Sequence, residues 1–118
     1  MAIHKYDTIA LAPVDMDGVE QVSMSNVIAE AEGWKDHTLR VFRIEPGGFT
    51  PRHQHPWQHI NYVIKGKGTL RLGDDVKEIG EKDFAVVPGN TEHQFQNPFD
   101  EPFEFICIVP NSAYQQND

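Results

Sequence analysis

Short segments in which apolar and polar residues alternate run through most of the chain, separated by turn-forming residues. Alternation of this kind is typical of β-strands with one buried face, and no segment keeps a helical period beyond about three turns. The turn-forming pieces are Glu45-Pro46-Gly47-Gly48, Gly66-Lys67-Gly68, Gly73-Asp74-Asp75 and Pro88-Gly89-Asn90. The pattern predicts strands at residues 39–44, 60–65, 69–72, 84–87, 93–97 and 103–109.

Strands this short, recurring about every ten residues, bury enough apolar surface only when the sheet closes on itself or packs on a second sheet. We therefore predict an all-β fold: one small barrel domain over residues 1–110, with its core at residues 38–110. The first 37 residues are less regular, since 18–25 alternate weakly and 27–32 fit either one helical turn or a further strand. Residues 111–118 are polar and lack any period, which predicts a frayed tail.

The composition narrows the possible partners. Ten Lys and Arg against 18 Asp and Glu give a net charge of -8, so phosphate backbones and anionic lipids would repel the chain, and we expect neither nucleic acid nor a membrane as partner. No basic leader or run of roughly 20 apolar residues occurs, which predicts a cytoplasmic protein. The single cysteine, Cys107, excludes an internal disulfide and a multi-cysteine zinc module, so histidine or carboxylate would have to bind a metal.

Three of the six histidines fall within seven residues, at positions 53, 55 and 59. In a strand, residues two apart point to the same face, so His53 and His55 can present their rings side by side, and His59 keeps the same parity. His93 opens a later predicted strand, which an antiparallel barrel can bring across from this group. This predicts a metal site of four imidazoles, which suit Zn, Fe, Ni, Cu and, less tightly, Mn. The histidines without such partners, predicted to be ordinary partly exposed residues, are His4 and His37.

Two groups of residues resemble the two sequence motifs of the cupin superfamily. The first group is Gly47, His53-x-His55, His59 and Gly66, and the second is Pro88-x-Asn90-x-x-His93-x-x-x-Asn97. The resemblance covers residues 40–109 and implies a double-stranded β-helix, or jelly-roll, barrel in which the two motifs face each other and supply the metal ligands. In this chain those ligands would be His53, His55, His59 and His93.

Three positions depart from the usual cupin motifs. His59 stands where the first motif has glutamate, Lys82 where the second motif begins with glycine, and Asn90 where it has a further glycine. Asparagine adopts a positive φ more readily than other non-glycine residues, so the turn at Asn90 can persist. With histidine in place of glutamate, a bound divalent ion keeps two positive charges rather than one, which favours an anionic ligand.

The histidine-rich segment is especially similar to small single-domain manganese cupins with four histidine ligands. This similarity implies one divalent transition metal per chain, Mn in preference to Fe, Ni, Cu or Zn, and a homodimer, which would also cover the apolar outer sheet of so small a barrel. An octahedral ion with four protein ligands keeps two positions for a bidentate substrate or dioxygen, whereas a tetrahedral zinc site is closed. We expect a metal-dependent, dioxygenase-like oxidoreductase acting on a small anionic or bidentate molecule.

Two other classes of function stay open. The barrel could be a Lewis-acid isomerase or lyase, which would need a general base, and spacing alone does not place the candidates Tyr62 and Glu92. It could also be a non-catalytic module that binds or senses a small molecule or a metal. A chain with no predicted second domain has little left to transmit a signal, which weighs against a regulator.

Four further residues are candidates for a substrate pocket beside the metal: Arg40, Trp57, Phe105 and Cys107. Arg40 shares strand parity with the apolar Phe42, so its guanidinium can point inward and bind a carboxylate or another oxygen. Phe105 and Cys107 share the inward face of the last predicted strand. Trp57 lies between the ligands in sequence and can form a wall of the pocket.

Overall fold

Nine β-strands and two one-turn 3-10 helices are found in residues 2–112, the part of the chain described by this computed structural model. The strands are β1 (Ala12–Pro13), β2 (Glu20–Ile28), β3 (His37–Phe49), β4 (His59–Lys65), β5 (Lys67–Leu72), β6 (Asp75–Gly80), β7 (Phe84–Val87), β8 (His93–Gln96) and β9 (Phe103–Pro110). The helical turns are Tyr6–Thr8 and Glu30–Glu32. The predicted all-β class is confirmed.

The paired strands are antiparallel and follow the order β6-β5-β8-β3-β9-β4-β7, with β2 added to β3 and β1 to β2. The sheet curls into the predicted small barrel. Because side chains alternate between the two faces of a strand, every second residue enters the interior. The buried apolar residues of this core are Val22, Ile44, Val63, Leu70, Val87, Phe95, Phe103, Phe105, Cys107 and Val109.

Strand β3 is longer than predicted and corrects one prediction. The sequence predicts a turn at residues 45–48, but these residues lie inside the strand. Gly47 has a φ of 85°, and the pairing with β2 shifts register beside Glu20, so β3 bends without ending. Gly48 permits β2 to approach β3 closely at this bend, since a Cβ there would lie 2.6 Å from the Glu20 carbonyl oxygen. The bend lets β3 pair with β9 along its first part and with β8 at Phe49.

Strand β6 is absent from the sequence prediction, which places a turn at residues 73–75 and nothing regular beyond it. Within residues 2–112 the strand pairs with β5 alone, and its first four side chains are exposed. Exposed side chains impose no alternation of apolar and polar residues, and the first four residues of β6 are Asp-Val-Lys-Glu. The pattern of hydrophobic residues therefore carries no signal for β6.

The irregular N-terminal part contains both structures that the sequence left open. The weakly alternating segment is part of β2, which ends at Ile28. The helical turn Glu30–Glu32 follows, and the Glu32 carboxylate accepts a hydrogen bond of 2.9 Å from the Ala29 amide at its start. Gly33, with a φ of 96°, ends the turn. Strand and helical turn thus divide residues 27–32 between them.

A charged cluster lies on the outer face of the barrel. Glu104 of β9 is only 2% exposed, and its neighbours in sequence are the core residues Phe103 and Phe105. One of its oxygens accepts bonds of 3.0 and 2.9 Å from Nε and Nη2 of Arg43, and the other accepts from the Tyr6 hydroxyl. Burial and the neighbouring carboxylate raise the pKa of Tyr6, so its hydroxyl stays protonated and donates. Tyr6 thereby holds the N-terminal segment against the outer sheet, where Val41 is buried.

Within residues 2–112, no helix has the length and the apolar character needed to cross a membrane. The predicted polar tail falls outside the described residues from position 113 onward. The predicted limits of the domain therefore stay predictions.

Candidate metal centre

The four predicted ligands come from two parts of the barrel. His53 and His55 lie in the loop between β3 and β4, His59 opens β4, and His93 opens β8. Strand parity does not explain why His53 and His55 lie close together. Residues 50–58 form no strand, and His53 makes only an isolated bridge with His93. In that bridge the His53 amide donates to the His93 carbonyl oxygen at 3.2 Å, and the His93 amide donates in return at 2.9 Å.

A second backbone bond ties the loop to the turn before β8. The Asn90 amide donates to the His55 carbonyl oxygen at 2.6 Å, and Asn90 has a φ of 60°, the left-handed conformation that the sequence predicts for it. Gly89 precedes it at a point where a Cβ would lie 2.3 Å from the Pro56 carbonyl oxygen. Lys82, the other departure from glycine, also has a positive φ, of 71°. The turn at Gly89 and Asn90 therefore holds the histidine loop close to the start of β8.

The imidazole rings converge. One ring nitrogen from each of His53, His55 and His93 lies within 4.8 Å of the other two, so these three side chains could hold a metal ion. His59 adjoins the group: its Nε2 lies 3.4 Å from Nε2 of His93, and its ring centroid lies 5.5 Å from that of His55. The structure thus brings together all four imidazoles, three as a tight group and His59 at its buried edge.

Hydrogen bonds to oxygen acceptors fix the protonation of three of the rings. Each of these rings has its Nδ1 2.8 or 2.9 Å from an oxygen atom. The pairs are His55 with the Trp57 carbonyl, His59 with Oδ1 of Asn61, and His93 with the Thr91 carbonyl. A carbonyl oxygen only accepts, so each Nδ1 carries the proton and each Nε2 keeps its lone pair. This is the arrangement in which a histidine binds a metal through Nε2.

Burial keeps these rings in the neutral form that a metal requires. Desolvation lowers the pKa of His55, His59 and His93 to about 4, against a weaker opposing effect of the hydrogen bonds at Nδ1. Desolvation also lowers the pKa of His53, and repulsion from Arg40, and from His55 and His59 when they are protonated, acts in the same direction. At neutral pH the centre therefore offers uncharged nitrogen lone pairs.

Arg40 points into the barrel. It pairs in register with Cys107, and its Nη2 donates to the Cys107 sulfur at 3.3 Å. The guanidinium carbon lies 5.0 Å from the centre of the Phe42 ring. Its positive charge lowers the pKa of both His53 and His59, so it lies on the side of the barrel that faces the histidines. Nε of Arg40 is buried and has no hydrogen-bond partner in the described part of the chain.

The other two pocket candidates differ in their distance from the histidines. The Trp57 ring is stacked on that of His55, with centroids 4.2 Å apart and an interplanar angle of 7°. Phe105 is part of the core, and the ring of Phe95 lies between it and His59. Trp57 therefore borders the histidine group, whereas Phe105 is separated from His59 by the ring of Phe95.

The remaining candidates lie elsewhere. Tyr62 is on the outer face of β4, where its ring packs against that of Phe84 at 4.8 Å. Glu92 accepts a 3.1 Å bond from Nε of Arg52 at the surface. His4 lies 3.3 Å from the Glu32 carboxylate, and His37 packs against the Trp34 ring at 5.3 Å. None of these four residues belongs to the histidine group.

Comparison with known proteins agrees with this geometry. The sequence profile described as a cupin domain matches residues 40–109, more than half of the chain. The chain belongs to the cupin family. The polyketide cyclase RemF from Streptomyces resistomycificus has a TM-score of 0.86 to this cupin at 25% identity, over 93% of this chain and 79% of that one.

Two relatives are similar to this cupin in sequence. A 1-methylthio-D-xylulose 5-phosphate methylsulfurylase of Rhodospirillum rubrum is 35% identical over 71 residues, which are 60% of this chain and 46% of that protein. Auxin-binding protein 5 of Zea mays is 30% identical over 89 residues, which are 75% of this chain and 57% of that protein. The cupin chain thus spans about half the length of these relatives.

Asn61, which orients His59 in this cupin, is not among the site residues that the sequence predicts. Its side chain is buried, with Nδ2 donating to the Ile106 carbonyl oxygen at 3.2 Å, so that Oδ1 faces His59. The signal was present, because Asn61 is two residues after His59 in a strand and therefore shares its inward face. A polar residue at such a core position requires a partner.

The pKa values predict how the stability of the metal-free cupin depends on pH. Histidines with a pKa of about 4 in the fold regain an ordinary value near 6.5 on unfolding, so the unfolded chain binds more protons between these values. The free energy of unfolding should therefore fall as the pH decreases from about 6.5 to about 4, and should stay level above about pH 7. Urea unfolding midpoints in EDTA measure this. A midpoint that does not change below pH 6.5 would contradict the buried, neutral state of these rings.

Proposed function

We propose that this cupin is a metal-dependent enzyme that acts on a small anionic molecule. Four histidines, His53, His55, His59 and His93, would hold one divalent ion, and Arg40 would bind the anion beside it. The observation that carries the proposal is the convergence of neutral imidazoles next to an inward-pointing guanidinium. A divalent ion bound there supplies Lewis acidity and open coordination positions.

The case for His59 as a fourth ligand comes from its contact with His93. Their Nε2 atoms lie 3.4 Å apart, and the acceptors at Nδ1 leave both of these atoms without a proton. Two lone pairs so close repel each other unless a cation lies between or beside them. His59 is 4% exposed, so water cannot easily relieve this repulsion. A metal shared with the three-histidine group would satisfy both atoms.

Manganese is our proposed ion, with iron, nickel, copper and zinc as alternatives. The donor set is nitrogen alone, which every one of these ions accepts, so the proposal of manganese rests on the resemblance to four-histidine manganese cupins. Mn binds least tightly of this series, so other divalent ions present during expression and purification can replace it. Metal analysis should therefore use protein prepared without chelator and without nickel resin.

The anionic substrate follows from the charge around Arg40. Neutral histidines leave the full charge of a divalent ion in place, and the guanidinium adds one more. The thiol of Cys107 is a weak acceptor, and Nε of Arg40 has no acceptor among residues 2–112. A buried donor without a partner costs free energy that a ligand oxygen would recover. A carboxylate or enolate that binds both the ion and Arg40 would complete this site.

Within this class we propose dioxygenase-like oxidoreductase chemistry. A lyase or isomerase would need a general base, and both candidates lie away from the histidines, Tyr62 on the outer face and Glu92 in a surface ion pair. Chemistry that uses two open positions of the ion has no such requirement. The chain would then bind and orient the substrate through Arg40 and exclude water with Trp57.

A Lewis-acid enzyme is the second candidate. It is favoured by the name of RemF, a polyketide cyclase, whose structure resembles this one over most of the chain. The name of auxin-binding protein 5 similarly favours the third candidate, a binding module without catalysis. Dioxygen consumption by the manganese- or iron-loaded protein with small carboxylates separates these from the oxidoreductase. Substrate conversion without dioxygen uptake would support the Lewis-acid enzyme.

The anion site can be tested with oxalate, a small bidentate dianion. We expect Arg40→Gln to weaken oxalate binding roughly 10- to 100-fold, because a hydrogen bond to a charged group contributes about 1.5–3 kcal/mol. His59→Glu should retain the metal but also bind oxalate less tightly, since it removes one positive charge from the centre. Calorimetric titration at matched metal content measures both effects.

The matched control is Arg71→Gln. Arg71 also lies in a barrel strand, with a buried Nε that has no partner among the described residues, but its Nη1 donates outside the core to the Gly73 carbonyl oxygen. Its replacement should leave oxalate affinity unchanged. Equal affinities for Arg40→Gln and the wild type would remove Arg40 from the proposal. An ion with four tetrahedral protein ligands and no bound solvent would contradict an open site altogether.

A further inference from the structure

A cleft of about 270 Å³ lies on the outer face of the barrel, between the N-terminal segment and the sheet. Its floor is a row of polar residues at paired positions of four neighbouring strands, which runs from Ser23 through Arg43 and Glu104 to Lys65. Its roof is the N-terminal segment, which the bond from Tyr6 to Glu104 holds in place. The cleft therefore lies on the opposite face of the sheet from the histidines.

Two of the charges in the cleft neutralise each other. The buried carboxylate of Glu104 accepts hydrogen bonds from Nε and Nη2 of Arg43. The other two charges belong to Asp7 in the roof and Lys65 in the floor, and neither side chain has a hydrogen bond or ion pair within residues 2–112. The Ser23 hydroxyl also has no partner among these residues. The cleft thus offers one uncommitted positive charge and one uncommitted negative charge.

A β-bulge turns Lys65 toward this cleft. Val63 is a core residue, and strict alternation would place the side chain two residues later in the interior as well. The pairing of β4 with β9 shifts register between Val63 and Lys65, so that Lys65 lies opposite Glu104 on the outer face. Bulges commonly redirect a side chain in this way next to binding sites. The backbone of β4 therefore places the ammonium group of Lys65 in the cleft.

Apolar side chains form the rest of the cleft. Ile9 and Leu11 contribute from the N-terminal segment, and Val41, which is 3% exposed, contributes from β3. Charged and apolar groups therefore line one small space. A ligand that fits it carries a positive group, a negative group and an apolar part.

We propose that this cleft binds a free α-amino acid with an apolar side chain. Lys65 would bind the carboxylate, with the Ser23 hydroxyl and the remaining N–H groups of Arg43 as further donors. Asp7 would bind the ammonium group, and the side chain would contact the apolar part of the cleft. The proposal is independent of the chemistry at the metal centre and goes beyond it.

Net charge and size both favour an amino acid over other ligands. The net charge of -8 repels a simple carboxylate, whereas a zwitterion has no net charge to be repelled. Pockets for drug-sized molecules have volumes of about 300–1,000 Å³, so a cleft of about 270 Å³ suits a smaller ligand.

Calorimetric titration of the full chain with L-leucine tests the proposal. L-leucine should bind with a dissociation constant of roughly 1 mM or lower, as expected for so small a ligand. Leucinamide, which lacks the carboxylate, and 4-methylpentanoate, which lacks the ammonium group, should each bind at least roughly 10-fold more weakly. The affinity for L-leucine should be the same after removal of metal with EDTA, because the cleft contains none of the four histidines.

Charge-removing variants with a matched control locate the site. Lys65→Met and Asp7→Asn should each weaken L-leucine binding at least roughly 10-fold, since each leaves one charge of the ligand without its partner. Lys67→Met is the control, because Lys67 lies over the Phe99 ring and not in this cleft. Its replacement removes the same charge and should leave the affinity unchanged.

Amide exchange gives an independent measurement, because the ligand would contact both the roof and the floor of the cleft. L-leucine should slow the exchange of residues 6–11 in the wild type and have little effect in Lys65→Met. Four outcomes would overturn the proposal: no binding of L-leucine, equal affinity for leucinamide, undiminished binding by Lys65→Met, or an equal loss in Lys67→Met. Binding that disappears with EDTA would place the amino acid at the metal centre and would overturn it as well.

Discussion

His93→Ala is expected to release the metal almost completely, with an affinity at least roughly 100-fold below that of the wild type. His93 contributes a ring nitrogen to the three-histidine group, and its Nε2 faces Nε2 of His59. Its loss removes one ligand and leaves the others without a common centre. Elemental analysis after dialysis, and titration with manganese, measure the effect. His53→Ala, His55→Ala and His59→Ala should each lose most of the metal in the same way.

The controls are the histidines outside the group. His37→Ala and His4→Ala should retain the full metal content, because their rings contact Trp34 and Glu32 instead. Asn61→Leu should weaken binding roughly 10- to 100-fold, since it removes the acceptor that orients His59. Full retention of metal by His93→Ala would contradict the centre. Retention by His59→Ala alone would reduce it to three histidines and a further open position.

Arg43→Ala is expected to lower the free energy of unfolding by about 2–3 kcal/mol, a large part of the stability of a small domain. The change leaves the buried carboxylate of Glu104 with the Tyr6 hydroxyl as its remaining partner. The effect should fall somewhat below that of a fully buried pair, because the Arg43 side chain is 42% exposed and water reaches it. Urea unfolding at neutral pH gives the value.

Arg52→Ala is the matched control for this prediction. Its Nε lies 3.1 Å from the Glu92 carboxylate, much like Arg43 from Glu104, but the two side chains are 49% and 44% exposed. Such a pair contributes about 0–1 kcal/mol, so the variant should be close to the wild type. Equal losses for the two variants would mean that burial of Glu104 does not determine the stability of the cluster.

The strands that could be predicted from the sequence are those with one face in the core. Burial imposes alternation, and alternation is visible in strands such as β4 and β9. Edge strand β6 buries little and escaped notice. The sequence predicts a turn where β3 bends at Gly47, because the residues that permit a bend in a strand also permit a turn.

The candidate site shows the same limit in another form. Spacing identified the four histidines, but parity gave the wrong reason for His53 and His55, which meet through a loop held by backbone bonds to His93 and Asn90. Those bonds join residues far apart in sequence, and no local pattern encodes them. Glu104 shows the same limit outside the site: alternation places it on the outer face of β9, and its burial depends on Tyr6 and Arg43, which are distant in sequence.

The position of β9 has a consequence for how the chain folds. The last strand of the described residues lies in the middle of the sheet, between β3 and β4, and joins the two halves of the barrel through pairs such as Leu39 with Ile108. Contacts between residues so distant along the chain form slowly, because the entropy of closing a long loop is lost before they stabilise anything. A ribosome must therefore release nearly all of the 118 residues before the barrel can close. Until then the edge of β7, which pairs only with β4 among residues 2–112, is exposed to other chains, so the yield of folded protein should depend on synthesis rate and on chaperones more than its small size suggests.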